Sequence, residues 1–198
     1  IKNKKISTDD VHNIASKWGR SLFSLVPGWN IKIHNKDNLP KGKVSYVIVA
    51  NHESSADILA IYFLNIQFRW LAKKELFKTP LIGLAMRLSG CIPIKRGDKV
   101  SHKQALDKCS LNLKDNTPVV FFPEGTRSTS GSPKSFKKGA FKLAIENNVP
   151  VLPMVLLGAG DLIKKGTLCP KKGTVHMKVL ELTKAYDSES VDDYTLRV

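Results

Sequence analysis

The chain has 198 residues, 42% of them hydrophobic, with 32 Lys and Arg against 17 Asp and Glu and a formal net charge of +15. That length suits one domain with a sizeable core, and that composition excludes a disordered chain. The charge favours an anionic partner (nucleic acid, an acidic carrier, a phosphorylated substrate or an anionic membrane face) over lysines that are merely solvated.

Ser7-Thr8-Asp9-Asp10 is a helix start, and a helix is expected over 7–26. Val11, Ile14, Ala15, Trp18, Leu22 and Leu25 then share one face, with Lys17 and Arg20 off it. That face either packs on the core or lies in a membrane interface, with Trp18, Phe23 and Trp29 at headgroup depth. Residues 1–29 therefore form an N-terminal amphipathic helical segment, and 30–198 a single domain. Trp29, Ile31 and Ile33 alternate with polar residues as in an edge strand, before a turn at 38–40.

The run 44–50 has the length and composition of a buried strand. A helix over 54–65 follows, with Ser54 as N-cap and Asp57 at N3. Residues 68–72 predict a strand ending at Lys73-Lys74. Pro80 starts a short apolar helix that stops at Gly90. The strand 91–94 delivers Lys95 and Arg96 to its carboxyl end. A helix over 99–114 carries Leu106, Cys109 and Leu113 on one side. A buried strand over 118–122, a polar loop over 123–136 and a helix near 138–147 come next. Strands over 149–157 and 174–180 close the list, the second with Val175, Met177 and Val179 alternating. Strands and helices alternate, so the fold class is α/β, a single domain with a largely parallel mixed sheet flanked by helices, preceded by the amphipathic helix.

Three strand ends carry chemistry. His52 sits just past the first, and Asp57 opens the next helix, at the edge where open α/β sheets bind ligands. Two residues five apart in one helix lie about 140° apart. With His52 in the loop the chain can fold back, so that the carboxylate accepts from Nδ1–H. Nε2 is then the free base, and its imidazolium is stabilised. The competing reading is a capping Asp beside a surface His. The other ends are Lys95-Arg96 and the stretch 123–128. Arginine suits a phosphate because its planar fork bonds two oxygens. Gly125 allows close backbone approach to a ligand, although Gly125-Thr126-Arg127 alone reads equally as a tight surface turn.

Cys91, Cys109 and Cys169 are odd in number and widely spaced, which points to a reducing compartment. They form no ligand cluster with His12, His34, His102 or His176, so no metal is expected. No apolar run reaches the about 20 residues that span a bilayer. The chain begins with Ile1 and reads as a fragment of a longer protein. A P-loop is absent, and Gly158-Ala159-Gly160 has Ile163 where a third Gly would stand. A basic nucleic-acid-binding module is the reading from a different class. Against it, Phe68, Trp70, Phe121 and Phe122 fall in core strands rather than on a stacking surface.

Four blocks, in order, resemble the glycerophospholipid acyltransferases typified by 1-acylglycerol-3-phosphate acyltransferase. They are Asn51-His52 with Asp57; Gly90 through an apolar strand to Arg96; Phe122-Pro123-Glu124-Gly125-Thr126-Arg127-Ser128; and Val149-Pro150-Val151-Leu152-Pro153. Ala72-Lys73-Lys74-Glu75-Leu76 also fits, and the likeness covers about 30–183. Pro93 departs from the pattern, standing where an extended apolar residue is usual. The resemblance implies an acyltransferase-like fold. It implies transfer from an acyl thioester, on coenzyme A or acyl carrier protein, to a lysophosphatidate hydroxyl, or to glycerol-3-phosphate or another lysolipid. His52 would be the base and Asp57 its partner. Lys73, or backbone N–H groups at the start of the helix 54–65, would stabilise the oxyanion. Arg96 and Arg127 would hold the phosphate, with Glu124, Gly125 and Thr126 also on the acceptor and Glu124 bonding a glycerol hydroxyl or fixing an arginine. No cofactor is implied beyond the thioester co-substrate. The expected partners are the two substrates, an anionic membrane surface and an acyl carrier protein, with no nucleic acid. The expected location is membrane-associated, on the cytoplasmic face.

Overall fold

A computed structural model describes residues 6–128, 132–163, 167 and 169–198. The first five residues of the N-terminal segment and 129–131 of the loop expected over 123–136 lie outside the described residues.

Seven strands form one sheet: β1 (Trp29–His34), β2 (Val47–Ala50), β3 (Arg69–Lys73), β4 (Ile92–Ile94), β5 (Val119–Phe121), β6 (Val151–Leu157) and β7 (Gly173–Val179). Their order is β1-β7-β6-β2-β5-β3-β4. Strands β2 to β6 run parallel to one another. β7 is antiparallel to β6, and β1 pairs with β7 in parallel. The helices are α1 (Thr8–Leu25), α2 (Ala56–Ile61), α3 (Ile82–Leu88), α4 (Lys99–Lys114), α5 (Gly139–Glu146), α6 (Ala159–Leu162) and α7 (Val191–Arg197). This is the expected mixed, largely parallel α/β sheet.

The strand sequences follow from their surroundings. β2 lies between β6 and β5 and is buried along its whole length, so all four residues are apolar or small. β1 and β7 alternate. Trp29, Val175, Met177 and Val179 enter the core shared by Phe23, α2 and α6, whereas the core beside α4, α5 and α7 takes nothing from either strand.

Several boundaries move. The strand expected over 44–50 starts at Val47, because Ser45 turns its hydroxyl to the Leu113 carbonyl. The helix expected over 54–65 shortens to α2, then tightens to a 3₁₀ turn over Tyr62–Leu64 that ends at Asn65 with φ 57°. The C-terminal α7 was not expected. Its sequence signal is the Ser190 cap, whose hydroxyl oxygen accepts from Asp193 N at 3.1 Å.

Helix α1 starts as expected, with Ser7 and Asp10 in a reciprocal capping box. Its apolar stripe, however, is not the face it buries. His12, Ser16, Gly19 and Phe23 face the core, while Ile14, Trp18 and Leu25 are exposed. The two faces are about 120° apart at 3.6 residues per turn. Small residues explain the choice, since a Cβ on Gly19 would lie 2.6 Å from Tyr62 Cδ2. Phe23 and Trp29 are buried against each other, ring centroids 5.1 Å apart, so neither is available at headgroup depth. Trp18 remains 58% exposed.

Candidate active site

Where β2 ends, four consecutive residues are fixed in turn. The Asn51 side chain donates to Leu156 O and accepts from Leu156 N, both at 2.7 Å. It thereby continues the β2–β6 ladder while the backbone turns away. His52 N donates to Glu124 Oε1 at 2.7 Å, and His52 O accepts from Ser128 N at 2.7 Å. Glu53 Oε2 accepts from Gly160 N at 3.2 Å, a close approach that the missing Cβ of Gly160 permits. Burial pushes the Glu53 carboxyl up from its ordinary value, against the pull of that bond. Ser54 Oγ donates to Ile163 O at 2.9 Å and accepts from Ala56 N at 3.3 Å.

The loop folds His52 back onto Asp57, with Nδ1 2.9 Å from Oδ2. That same oxygen accepts from Glu53 N and Ser54 N, each at 2.7 Å. An oxygen that already accepts two N–H bonds sets the third partner as a donor, so the network assigns the proton to Nδ1. Asp57 therefore ties down the loop ahead of α2 and holds the imidazole at once, while α2 itself begins after Ser55, not Ser54, and carries no side-chain cap bond. Its side chain is fully buried, and that of His52 is 14% exposed. Phe122 stacks on the imidazole at 4.1 Å and 15°, and Trp70 stacks on Phe122 at 5.6 Å. The ring plane is thus set from one side and its rotation from the other. Among the described residues, no hydrogen bond to His52 Nε2 occurs.

Glu124 departs from expectation. It is buried, and its two oxygens take two backbone N–H groups, His52 N and Lys134 N (2.9 Å), rather than an arginine. It braces the His52 peptide. Lys134 Nζ then reaches Thr126 Oγ1 at 3.1 Å and Arg127 O at 3.2 Å. Gly125 has φ +73°, and a Cβ there would meet Lys137 Nζ at 2.8 Å. Sequence reasoning missed both lysines. The available signal was two lysines three apart just ahead of a helix start.

Lys73, Arg96, Gly125, Thr126 and Arg127 line the same edge, and among the described residues no hydrogen bond or ion pair joins them to His52 or Asp57. Across β2, β5, β3 and β4 stand His52, the stretch Glu124 to Arg127, Lys73 and Arg96. At about 4.8 Å per strand, the Arg96 end is about 14 Å from the His52 end. Lys73 is half exposed and 3.8 Å from Glu75, Arg96 is exposed and Arg127 half-buried. The N–H groups at the start of the helix expected over 54–65 are largely engaged. Ser54 N goes to Asp57, Ala56 N to Ser54 Oγ, Asp57 N to Ser54 O and Ile58 N to Ser55 O, which weakens their role as an oxyanion site.

Three candidate nucleophiles, Ser54, Cys91 and Cys109, are poorly placed, whereas Ser55 is exposed. The Ser54 hydroxyl is buried and bonded. Burial pushes the Cys109 thiol up to about 12 and also raises that of Cys91. Among the described residues no three His, Cys, Asp or Glu side chains converge as a metal site.

The sequence pattern of the Acyltransferase family matches residues 30–157. The chloroplastic 1-acyl-sn-glycerol-3-phosphate acyltransferase of Arabidopsis thaliana is 40% identical over 156 residues, 79% of this chain and 43% of that one. The 1-acyl-sn-glycerol-3-phosphate acyltransferase of Helicobacter pylori is 37% identical over 172 residues, 84% of this chain and 70% of that one. The crystal structure of the acyltransferase PlsC from Thermotoga maritima, described as acting on 1-acyl-sn-glycerophosphate, superposes with a TM-score of 0.80 at 30% identity. The match covers 95% of this chain and 76% of that one. The chain thus spans less than half the length of the Arabidopsis relative.

Proposed function

The chain belongs to the acyltransferase family, and we propose that it transfers a fatty acyl group from a thioester to the free hydroxyl of 1-acylglycerol-3-phosphate, giving phosphatidate. The observation that carries this reading is the His52 Nδ1–Asp57 Oδ2 bond, set at the strand edge that also bears Lys73, Arg96 and Arg127. The names of the matched relatives support the acceptor.

The acceptor oxygen attacks the thioester carbonyl while His52 Nε2 takes its proton. Asp57 stabilises the imidazolium that results. The tetrahedral intermediate collapses by breaking C–S, and the proton passes from His52 to the leaving thiolate. Lys73 faces the oxyanion charge. Arg127 and Arg96 hold the acceptor phosphate, with Gly125 and Thr126 shaping its approach and Glu124 bracing the base. No residue of the chain becomes acylated in this route. The buried, bonded Ser54 supports that, as do the raised thiols of Cys91 and Cys109. The donor is carried on coenzyme A or acyl carrier protein.

In this account the described fold meets the bilayer through an apolar surface. No helix among the described residues is long and apolar enough to cross a membrane. The exposed Ile14, Trp18 and Leu25 of α1, beside exposed Leu84 and Leu88 of the neighbouring α3, form the lipid-facing surface. Free cysteines suit the reducing, cytoplasmic face. A nucleic-acid function is disfavoured, since Phe68, Trp70 and Phe121 are buried and offer no stacking platform.

The test is incubation with a labelled acyl thioester and a panel of lysophosphatidate, glycerol-3-phosphate and other lysolipids. Labelled phosphatidate from lysophosphatidate is the expected product. Preferential labelling of glycerol-3-phosphate would move the assignment to that acceptor, and no transfer to any hydroxyl would overturn it.

A further inference from the structure

The outer strands of the sheet have a bare face. Trp29, Ile31 and Ile33 turn toward the α1 side, so Asn30, Lys32 and His34 point the other way. In register, Lys32 pairs with His176 and His34 with Lys178. All four are exposed. The result is a two-by-two square of basic side chains on neighbouring strands. Within it, His34 Nε2 lies 3.2 Å from His176 Nδ1, with the rings stacked at 11°. Among the described residues neither Lys32 nor Lys178 enters an ion pair. Leu157, also exposed, lies opposite His176 at the end of β6.

Two placements give this square meaning. The first is its level. Met177, between His176 and Lys178, is the partner of Leu156, the residue gripped by Asn51 beside the base. β7 and β1 are two and three strands from β2, about 10 and 14 Å away. The second is its side. It lies on the opposite face of the sheet from α1, whose apolar residues form the proposed lipid surface, so it stays open to solvent while α1 meets a bilayer.

We infer that this face is the docking surface for an acidic carrier protein that presents the acyl thioester to His52 on a flexible arm. The surface spans three neighbouring strands, which suits a protein. A nucleotide head would need a concave pocket. Unpaired cations flanked by an exposed Leu157 complement an acidic surface, steer its approach and set its register. The inference rests on the proposed use of an acyl thioester.

The test compares the unaltered chain with the double variant Lys32→Glu/Lys178→Glu. The donors are a palmitoyl thioester on acyl carrier protein and palmitoyl-coenzyme A, across a salt series. Binding of carrier protein lacking the acyl group is titrated separately. The expected result is a carrier-protein kcat/KM lowered about tenfold or more, chiefly through KM, with a flattened salt dependence. The coenzyme A reaction should stay within about twofold, which also certifies the fold. Equal losses on both donors would mean that the square serves coenzyme A phosphates, and would overturn the inference. So would no loss on either, or a loss of vesicle binding instead. If no donor supports transfer yet carrier binding still depends on Lys32 and Lys178, the surface stands and the acyltransfer assignment falls.

Discussion

At the carboxyl end of β2, residues 51–54 are each tied to another element, whereas at the ends of β3 and β4 the side chains of Lys73 and Arg96 stand in solvent. One half of the same edge is held and the other is loose. In the proposed route His52 is a general base, which works only if its proton-accepting nitrogen is in place before the reaction, and Asp57, Glu124, Ser128 and Phe122 supply that orientation in advance. In the same route Arg96 grips a phosphate and Lys73 faces an oxyanion, and cations in those roles need reach and charge while the bound ligand supplies the orientation.

The strongest way to break this contrast is at the held half. His52→Ala should lower kcat by about 10²- to 10⁴-fold, the scale of general-base catalysis, with little change in melting temperature. Asp57→Ala should lose comparable activity and also destabilise the fold. It strands Glu53 N and Ser54 N, at about 1–3 kcal/mol for each group left buried without a partner. Near-normal turnover in folded His52→Ala would remove the base assignment.

Glu124→Ala sharpens the distinction between brace and ligand. A brace predicts a fall in kcat of about 10²-fold, the cost of a misplaced catalytic group, with acceptor KM nearly unchanged. A rise in KM at constant kcat would return Glu124 to the substrate.

The packing of α1 on Tyr62 and Phe68 has a pH signature. Burial, and then the nearby Arg69 guanidinium, push the His12 imidazole down to about 4 from 6.5. Between those values the unfolded chain binds more protons than the folded one, so stability rises with pH from about 4 to 6.5 and is full above that. The change is up to about 3 kcal/mol. Denaturant titrations across this range should show the slope in the unaltered protein and its loss in His12→Asn.

The loose half should respond more mildly. Arg127→Ala and Arg96→Ala should each raise the acceptor KM about tenfold, for charge-assisted bonds of about 1.5 kcal/mol at partly exposed sites. Movement of the donor KM alone would place these arginines on the other substrate. The smallest effect is expected at the membrane. Ile14→Ser with Trp18→Ser should weaken binding to anionic vesicles by a few fold, as should added salt. Phe23→Ser should lower stability instead, because Phe23 is core. Vesicle binding unaffected by the first pair would make α1 no lipid surface.

What could be read in the sequence was local. Strand runs, helix starts and the His52-to-Asp57 spacing lie within a few residues and carry their own periodicity or capping chemistry. The bonds that fix His52 were not local. Asn51 meets Leu156 across 105 residues, and His52 meets Glu124 across 72. No residue pattern announces a carboxylate that will spend both oxygens on backbone N–H groups. Helix α1 misled for a different reason. Hydrophobic periodicity marks where apolar residues are, but burial here went to Ser16 and Gly19, whose small size lets the helix approach Tyr62. The displaced apolar stripe is what remained for another surface.

The central claim is that the protein holds His52 as a base with its proton on Nδ1 and Nε2 bare. Long-range nitrogen–proton NMR on histidine-labelled protein reads this directly, at a pH where the ring is neutral, with the His52 signals assigned by their loss in His52→Asn. The account predicts a protonated Nδ1 and an unprotonated Nε2, with that preference weakened in Asp57→Asn. A His52 ring carrying its proton on Nε2 in the unaltered protein would contradict it.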